Sequence, residues 1–304
     1  MNATSALKVG SVLAVAALAL PACAASDPLT ASTRNASGET IVVGSANFPE
    51  NVILGEVYAQ ALEQAGFNVE RKLNIGAREV LFDQIKNCTL NVVPEYNQAL
   101  LAFVSPETKA KSTLEVDAAL AQVLPDNLEV LKSSPAQDNN AVVVTADTAA
   151  KDNLKTLADL ARTSPDWVFG GPTEWESRPD GYAGLKNNYG INFKEYKVLD
   201  YSGPITISAL DKGDIQAGLL FSTTPQIESS GYVVLEDPED SLGVNNITPL
   251  ICREPVSDKA QSILEAISSS LTTEELTAMN AAYVLDKEDA ADVAKKWLKE
   301  QDIK

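Results

Sequence analysis

The chain has 304 residues with 42 acidic and 24 basic side chains, a formal charge of −18 and no histidine. That charge argues against nucleic acid as a partner, and the missing imidazole removes Ser-His-Asp and Cys-His catalysis together with the commonest zinc or copper ligand. A hydrophobic fraction of 45% is ordinary for a folded chain, so the length serves two domains and not a fibre or a disordered polymer.

Residues 1–22 read as an export signal. Lys8 precedes an uncharged apolar run from Val9 to Leu20, about a dozen residues where a spanning helix needs roughly 20. Leu20-Pro21-Ala22-Cys23 then offers a cysteine for lipid attachment, although an Ala-rich end also suits plain cleavage. With acylation, Cys23 is the first mature residue, and the lipid is the only membrane contact of a protein held on the outer face of the cytoplasmic membrane or in the periplasm. The rest of 23–39 is mostly Ala, Ser, Thr, Asp and Asn without apolar periodicity, and it reads as a flexible tether.

Ile41 to Ser45 is a β-branched run closed by Gly44, and Asn47-Phe48-Pro49-Glu50 announces a helix with Asn47 as its cap. Val52, Ile53, Val57, Ala61, Leu62 and Ala65 follow at helical spacing, and Gly66 ends the helix. A strand from Val69 to Ile75, a helix from Glu79 to Lys86 and a strand from Leu90 to Val93 complete a β-α-β-α-β series, which predicts a mostly parallel sheet. The same grammar resumes after Pro135: strands at Ala141–Thr145, Trp167–Gly170, Glu195–Leu199 and Ile215–Phe221, with helices near 154–161, 182–189 and 207–212. Ile247 to Ile251 reads as one more strand. Three helices close the chain, the second opened by a Thr272/Glu275 capping box and the third by Asp286.

This pattern gives an α/β protein of two lobes, joined by crossings at 133–140 and near Asn245-Asn246. Two crossings make a hinge, and a cleft between hinged lobes is a clamp for a small molecule. Cys88 and Cys252 form an even pair in an exported chain, which favours a disulfide. That bond puts the chain's end in the first lobe: lobe I is 40–136 plus 247–304, and lobe II is 137–246. The carboxylates Glu236, Asp237, Glu239 and Asp240, interrupted by Pro238, read as a solvated turn and not as a glycosidase pair. No P-loop is present, so any energy for transport comes from a partner.

The run Val43-Gly44-Ser45-Ala46-Asn47-Phe48-Pro49-Glu50-Asn51-Val52-Ile53-Leu54-Gly55-Glu56, combined with Val93-Pro94-Glu95-Tyr96, resembles the osmoprotectant substrate-binding lipoproteins of ABC importers, receptors for glycine betaine, carnitine and choline. Gly170-Gly171-Pro172, Arg178-Pro179 and Leu210 to Asp214 extend the likeness over most of 40–304. The resemblance implies a type II periplasmic-binding-protein fold with the ligand between the lobes, no catalysis, no cofactor and no metal. The partners it implies are an ABC permease and its ATPase, served by a monomer. A quaternary ammonium group cannot donate a hydrogen bond, so aromatic faces must hold it, while its carboxylate wants an Arg fork or helix amides. The resemblance places Tyr96 in an aromatic box and leaves an aromatic ring at Phe221; relatives carry further tyrosines where this chain has Ala141, Val142 and Thr206. The remaining candidate contacts are Asn47, Asn51, Asn97, Asn140, Thr206, Thr223 and the fork Arg178, with Trp175 and Tyr182 as replacement faces. A different small solute, such as ergothioneine or an amino acid derivative, and a sensory lipoprotein that never transports remain open readings.

Overall fold

The computed structural model describes residues 40–108, 110 and 112–303. The export signal, Cys23 and the tether lie outside the described residues. β1 (Ile41–Gly44) runs into α1 (Pro49–Gln64), whose inward face of Ile53, Leu54, Val57, Tyr58, Ala61 and Leu62 is fully buried. Gly66 follows with a φ of 94°, the left-handed turn that the sequence indicated. Asn47, however, does not cap α1: the N-cap is Phe48, without any side-chain bond, and Pro49 needs none because it has no N–H. The loop is closed by Asn51, which accepts from the Ala46 N–H at 2.6 Å and donates to the Pro94 carbonyl at 3.1 Å.

β2 (Val69–Lys72), α2 (Arg78–Lys86) and β3 (Val92–Tyr96) continue the series. β3 begins and ends later than the sequence suggests, running straight through Pro94. It can do so because Pro94 stands opposite Pro249, and the two carbonyls are taken by Asn51 and by the Leu131 N–H. Next come α3 (Asn97–Val104), α4 (Thr113–Val123) and the short β4 (Leu128–Val130).

The second series is β5 (Asn140–Val144), α5 (Ala146–Asp152), α6 (Leu157–Thr163), β6 (Val168–Gly171), α7 (Tyr182–Tyr189), β7 (Glu195–Val198), α8 (Pro204–Asp211), β8 (Ala217–Phe221), α9 (Gln226–Ser229) and β9 (Val233–Val234). The chain then returns through β10 (Ile247–Cys252) to α10 (Asp258–Ser270), α11 (Thr273–Val284) and α12 (Ala290–Glu300). Thr272 and Glu275 form the capping box of α11. Asp286 does not cap α12; Asp289 does, accepting from the Ala291 N–H at 2.9 Å.

Two five-stranded sheets result, ordered β2-β1-β3-β10-β4 and β7-β6-β8-β5-β9. They are mixed and not mostly parallel, because β10 lies antiparallel between β3 and β4, and β5 lies antiparallel between β8 and β9. Each sheet is sandwiched by apolar clusters of its own, so each lobe has its own core. The crossings run side by side: Gln137 bridges Asn246, the Asp138 N–H donates to the Asn245 carbonyl and the Ile247 N–H to that of Ala136. A disulfide joins Cys88, after α2, to Cys252 at the end of β10, with Cα atoms 5.6 Å apart.

Candidate functional site

The strand ends of the two sheets face a cleft, a concave setting of the kind that takes a small organic ligand. From the first lobe come the β1–α1 loop with Ala46, Asn47 and Phe48, the start of α2 with Arg78, and the end of β3 with Glu95 and Tyr96. The second lobe contributes Asn140 at the start of β5, Trp175, Arg178 and Asp180 between β6 and α7, Tyr201 before α8, and Phe221 at the end of β8. Asp138 and Asn245 line the cleft from the crossings.

Four rings converge here from both lobes. Phe48 lies 5.9 Å from Tyr96, 6.3 Å from Tyr201 and 5.1 Å from Phe221 between centroids, and Tyr201 is 6.4 Å from Phe221. A turn fixes the last two together. Ser202 takes a left-handed backbone with φ of 51°, and its hydroxyl accepts from the Phe221 N–H at 2.9 Å. Tyr201 is further held by its hydroxyl on Glu174 at 3.1 Å.

The loop from Trp175 to Gly184 supplies polar groups. A Cβ at Gly181 would collide with the Trp175 carbonyl, and one at Gly184 with that of Pro179, so glycine lets the loop fold tightly onto α7. Arg178 reaches across the cleft to Glu79 at 2.9 Å. Burial opposes the charge on Glu79, yet the Arg178 bond holds its carboxyl below the ordinary value. The buried Nε–H groups of Arg178 and Trp175 have no partner among the described residues, and an orphaned buried donor is costly unless something fills it. Arg78 is committed to Glu95 by a fork of bonds at 2.9 to 3.1 Å. Burial pushes the Asp180 carboxyl up, against the pull of Arg78 and Arg178.

Of the residues singled out in the sequence, Asn47, Asn51, Tyr96, Asn140, Trp175, Arg178 and Phe221 line the cleft. Asn51 is spent on the loop, as described above. Asn140 donates to the Asp180 carbonyl at 3.2 Å. Three residues lie elsewhere, each held by a structural bond. Asn97 is buried between Asp117 and the Asn246 N–H, where it braces the second crossing. Thr206 is fully buried in the first turn of α8, its N–H and hydroxyl both given to Asp200. Thr223 donates to the carboxylate of Glu50 behind the ring cluster. Tyr182 is also no cleft face: it packs against Phe193 and Tyr196 in the lobe core. Trp175 does line the cleft, but its ring lies flat on Phe169 at 5.3 Å, so it presents a margin and not an open face. The first turn of α1 carries the Glu50 carboxylate, which makes those helix amides a poor seat for a second anion.

Phe48, Arg78, Asp138 and Tyr201 were not singled out from the sequence as contacts. Among the described residues there is no cluster of potential metal ligands, and no helix long and apolar enough to cross a membrane.

Residues 39–300 match the family described as the substrate binding domain of the ABC-type glycine betaine transport system. The chain is 24% identical over 309 residues to the glycine betaine-binding protein YehZ of Escherichia coli strain K12, with 97% of each chain covered. It is 22% identical over 251 residues to the carnitine transport binding protein OpuCC of Listeria monocytogenes, covering 80% of this chain and 81% of the relative. A crystal structure of a glycine betaine/carnitine/choline ABC transporter superposes with a TM-score of 0.67 at 20% identity, covering 86% of this chain and 99% of that one.

Proposed function

The chain belongs to the substrate-binding domain family of ABC-type glycine betaine transport systems, whose members bind solutes for transporters and are not enzymes, and we propose that this protein captures a quaternary ammonium zwitterion and delivers it to a membrane permease. The observation that carries the reading is the meeting of Phe48, Tyr96, Tyr201 and Phe221 beside two orphaned donors, Arg178 Nε and Trp175 Nε1. Ring faces suit the cation, each worth ~0.5 to 2 kcal/mol. The two donors suit a carboxylate.

The rings come from both lobes, so the cation meets all of them only when the lobes close; a ligand that binds the closed form better shifts the population toward it. We place the hinge where Gln137 and Asn246 pair, with lobe I as 40–136 and 247–304. The protein then works outside the cytoplasm as a monomer, on a lipid carried by Cys23, with a cytoplasmic ATPase powering the permease. Cys23→Ala should release the protein from washed membranes into the soluble fraction; continued membrane association would exclude the lipid anchor.

Thermal denaturation against glycine betaine, choline, carnitine, ergothioneine and a set of amino acids and sugars tests the ligand class. Binding at about 100 times Kd adds ~2.7 kcal/mol and raises Tm by several degrees. A rise with a quaternary ammonium compound is expected. A rise with a sugar or simple amino acid alone would replace the reading.

A further inference from the structure

Behind the ring cluster, where the lobes meet, two carboxyls are almost wholly buried: Glu50 is 3% exposed and Asp138 4%. Glu50 Oε1 accepts from the Tyr96 hydroxyl at 2.7 Å; Oε2 accepts from Asn280 Nδ2 at 2.7 Å and from the Thr223 hydroxyl. Asp138 Oδ1 accepts from the Thr223 N–H at 3.1 Å and the Ser222 hydroxyl at 3.3 Å. Thr223 joins the two carboxyls, giving its hydroxyl to Glu50 and its N–H to Asp138.

The groups facing this pair come from every surrounding element: Tyr96 from β3, Ser222 and Thr223 from the end of β8, and Asn280 from α11. None is a cation, and among the described residues neither carboxyl is in an ion pair. Arg78 and Arg178 line the same cleft as Asp138 but are paired with Glu95 and Glu79. Lys287 and Glu288 border the cavity beside Glu50, with the Lys287 ammonium on the Val284 carbonyl. Burial raises both carboxyls above the ordinary range, and for Asp138 the charge of Glu50 adds to it. Two carboxylates this close in so dry a place do not both ionise.

We propose that Glu50 and Asp138 form the anionic subsite of the cleft, sharing one proton in the ligand-free protein and losing it to solvent when a quaternary ammonium group seats against Tyr96 and Phe221. This rests on the ligand class proposed above. Asp138 and Tyr96 line the cleft together, so the cation of a bound ligand lies beside the pair and favours its second ionisation. The site then exchanges one positive charge for another, so the proton leaves as the cation arrives and the pair together with its counter-charge keeps the same net charge in both states. The bound state holds one proton fewer, so affinity falls as pH falls, by up to tenfold per pH unit while the pair keeps its proton in the free protein. Above that range the dependence vanishes.

Isothermal titration with glycine betaine, choline and carnitine, from pH 5.5 to 8.5 in buffers of different ionisation enthalpy, counts the protons. Release approaching one proton per ligand is expected over part of that range. It should disappear in Asp138→Asn and, independently, in Glu50→Gln, so failure of one variant to fold leaves the other to decide. Binding with buffer-independent heat at every pH overturns the inference and leaves the ligand class standing. Failure of every quaternary ammonium compound to bind overturns the ligand class and this inference with it.

Discussion

Phe48 shows how a cleft-lining residue can sit inside a recognisable motif and still be misread. In the sequence it stands between a capping-type Asn and a proline, where it serves as entry to a helix; in the fold it is the N-cap and the ring that touches the other three. Tyr201 had no local signal at all, since its position depends on the left-handed Ser202 and on the Phe221 N–H, 20 residues further along. Tyr96 and Phe221 were legible because motif position carried them. Thr206 was misplaced for the opposite reason: the Asp200 that claims its hydroxyl lies outside any motif. Replacing Phe48 with Ala should weaken binding of a quaternary ammonium ligand by ~1 to 2 kcal/mol, measured by titration calorimetry. Tyr182→Phe, which changes only the lobe core, should leave the affinity unaltered; an equal loss in both variants would mean that Phe48 acts through packing alone.

Among the elements, those with a strong period and a side-chain stop signal were readable, and those without were not. α3 follows β3 with no turn between them and has no side-chain cap, so Asn97 to Val104 carries no start signal. α4 does have a capping box, Ser112 with Glu115, which chemistry could have revealed. β3 runs on through Pro94, where a local reading of the β-branched run stops at Val93; the facing Pro249, 155 positions away, is invisible to such a reading. The start of α12 separates the two candidate caps cleanly. Asp289→Ala should cost ~1 kcal/mol of stability in urea denaturation, whereas Asp286→Ala should cost almost nothing; the reverse ranking would restore Asp286 as the cap.

At the level of the whole molecule, the two crossings and the even cysteine pair were enough to suggest a clamp with a discontinuous lobe, while the mixed character of the sheets was not legible. That character comes from β10 and β5, single strands that run against their neighbours. The Cys88–Cys252 bond closes a loop spanning 164 positions, and neither cysteine lines the cleft. Replacing both with Ala should lower stability by ~2 to 5 kcal/mol, seen as a lower Tm, with ligand affinity unchanged. An unaltered Tm would mean the bond is idle.

The place of β10 also dictates an order of events for a chain that emerges N-terminus first. All five strands of the second sheet lie within 140–234 and can assemble as soon as that stretch is out. The first sheet cannot: its fourth position, between β3 and β4, is reserved for residues 247–252. The lobe encoded first is thus finished last. Until β10 arrives, β3 and β4 present unpaired edges of the kind that recruit other chains, so the vulnerable interval of a newborn molecule is timed by the delivery of one six-residue strand.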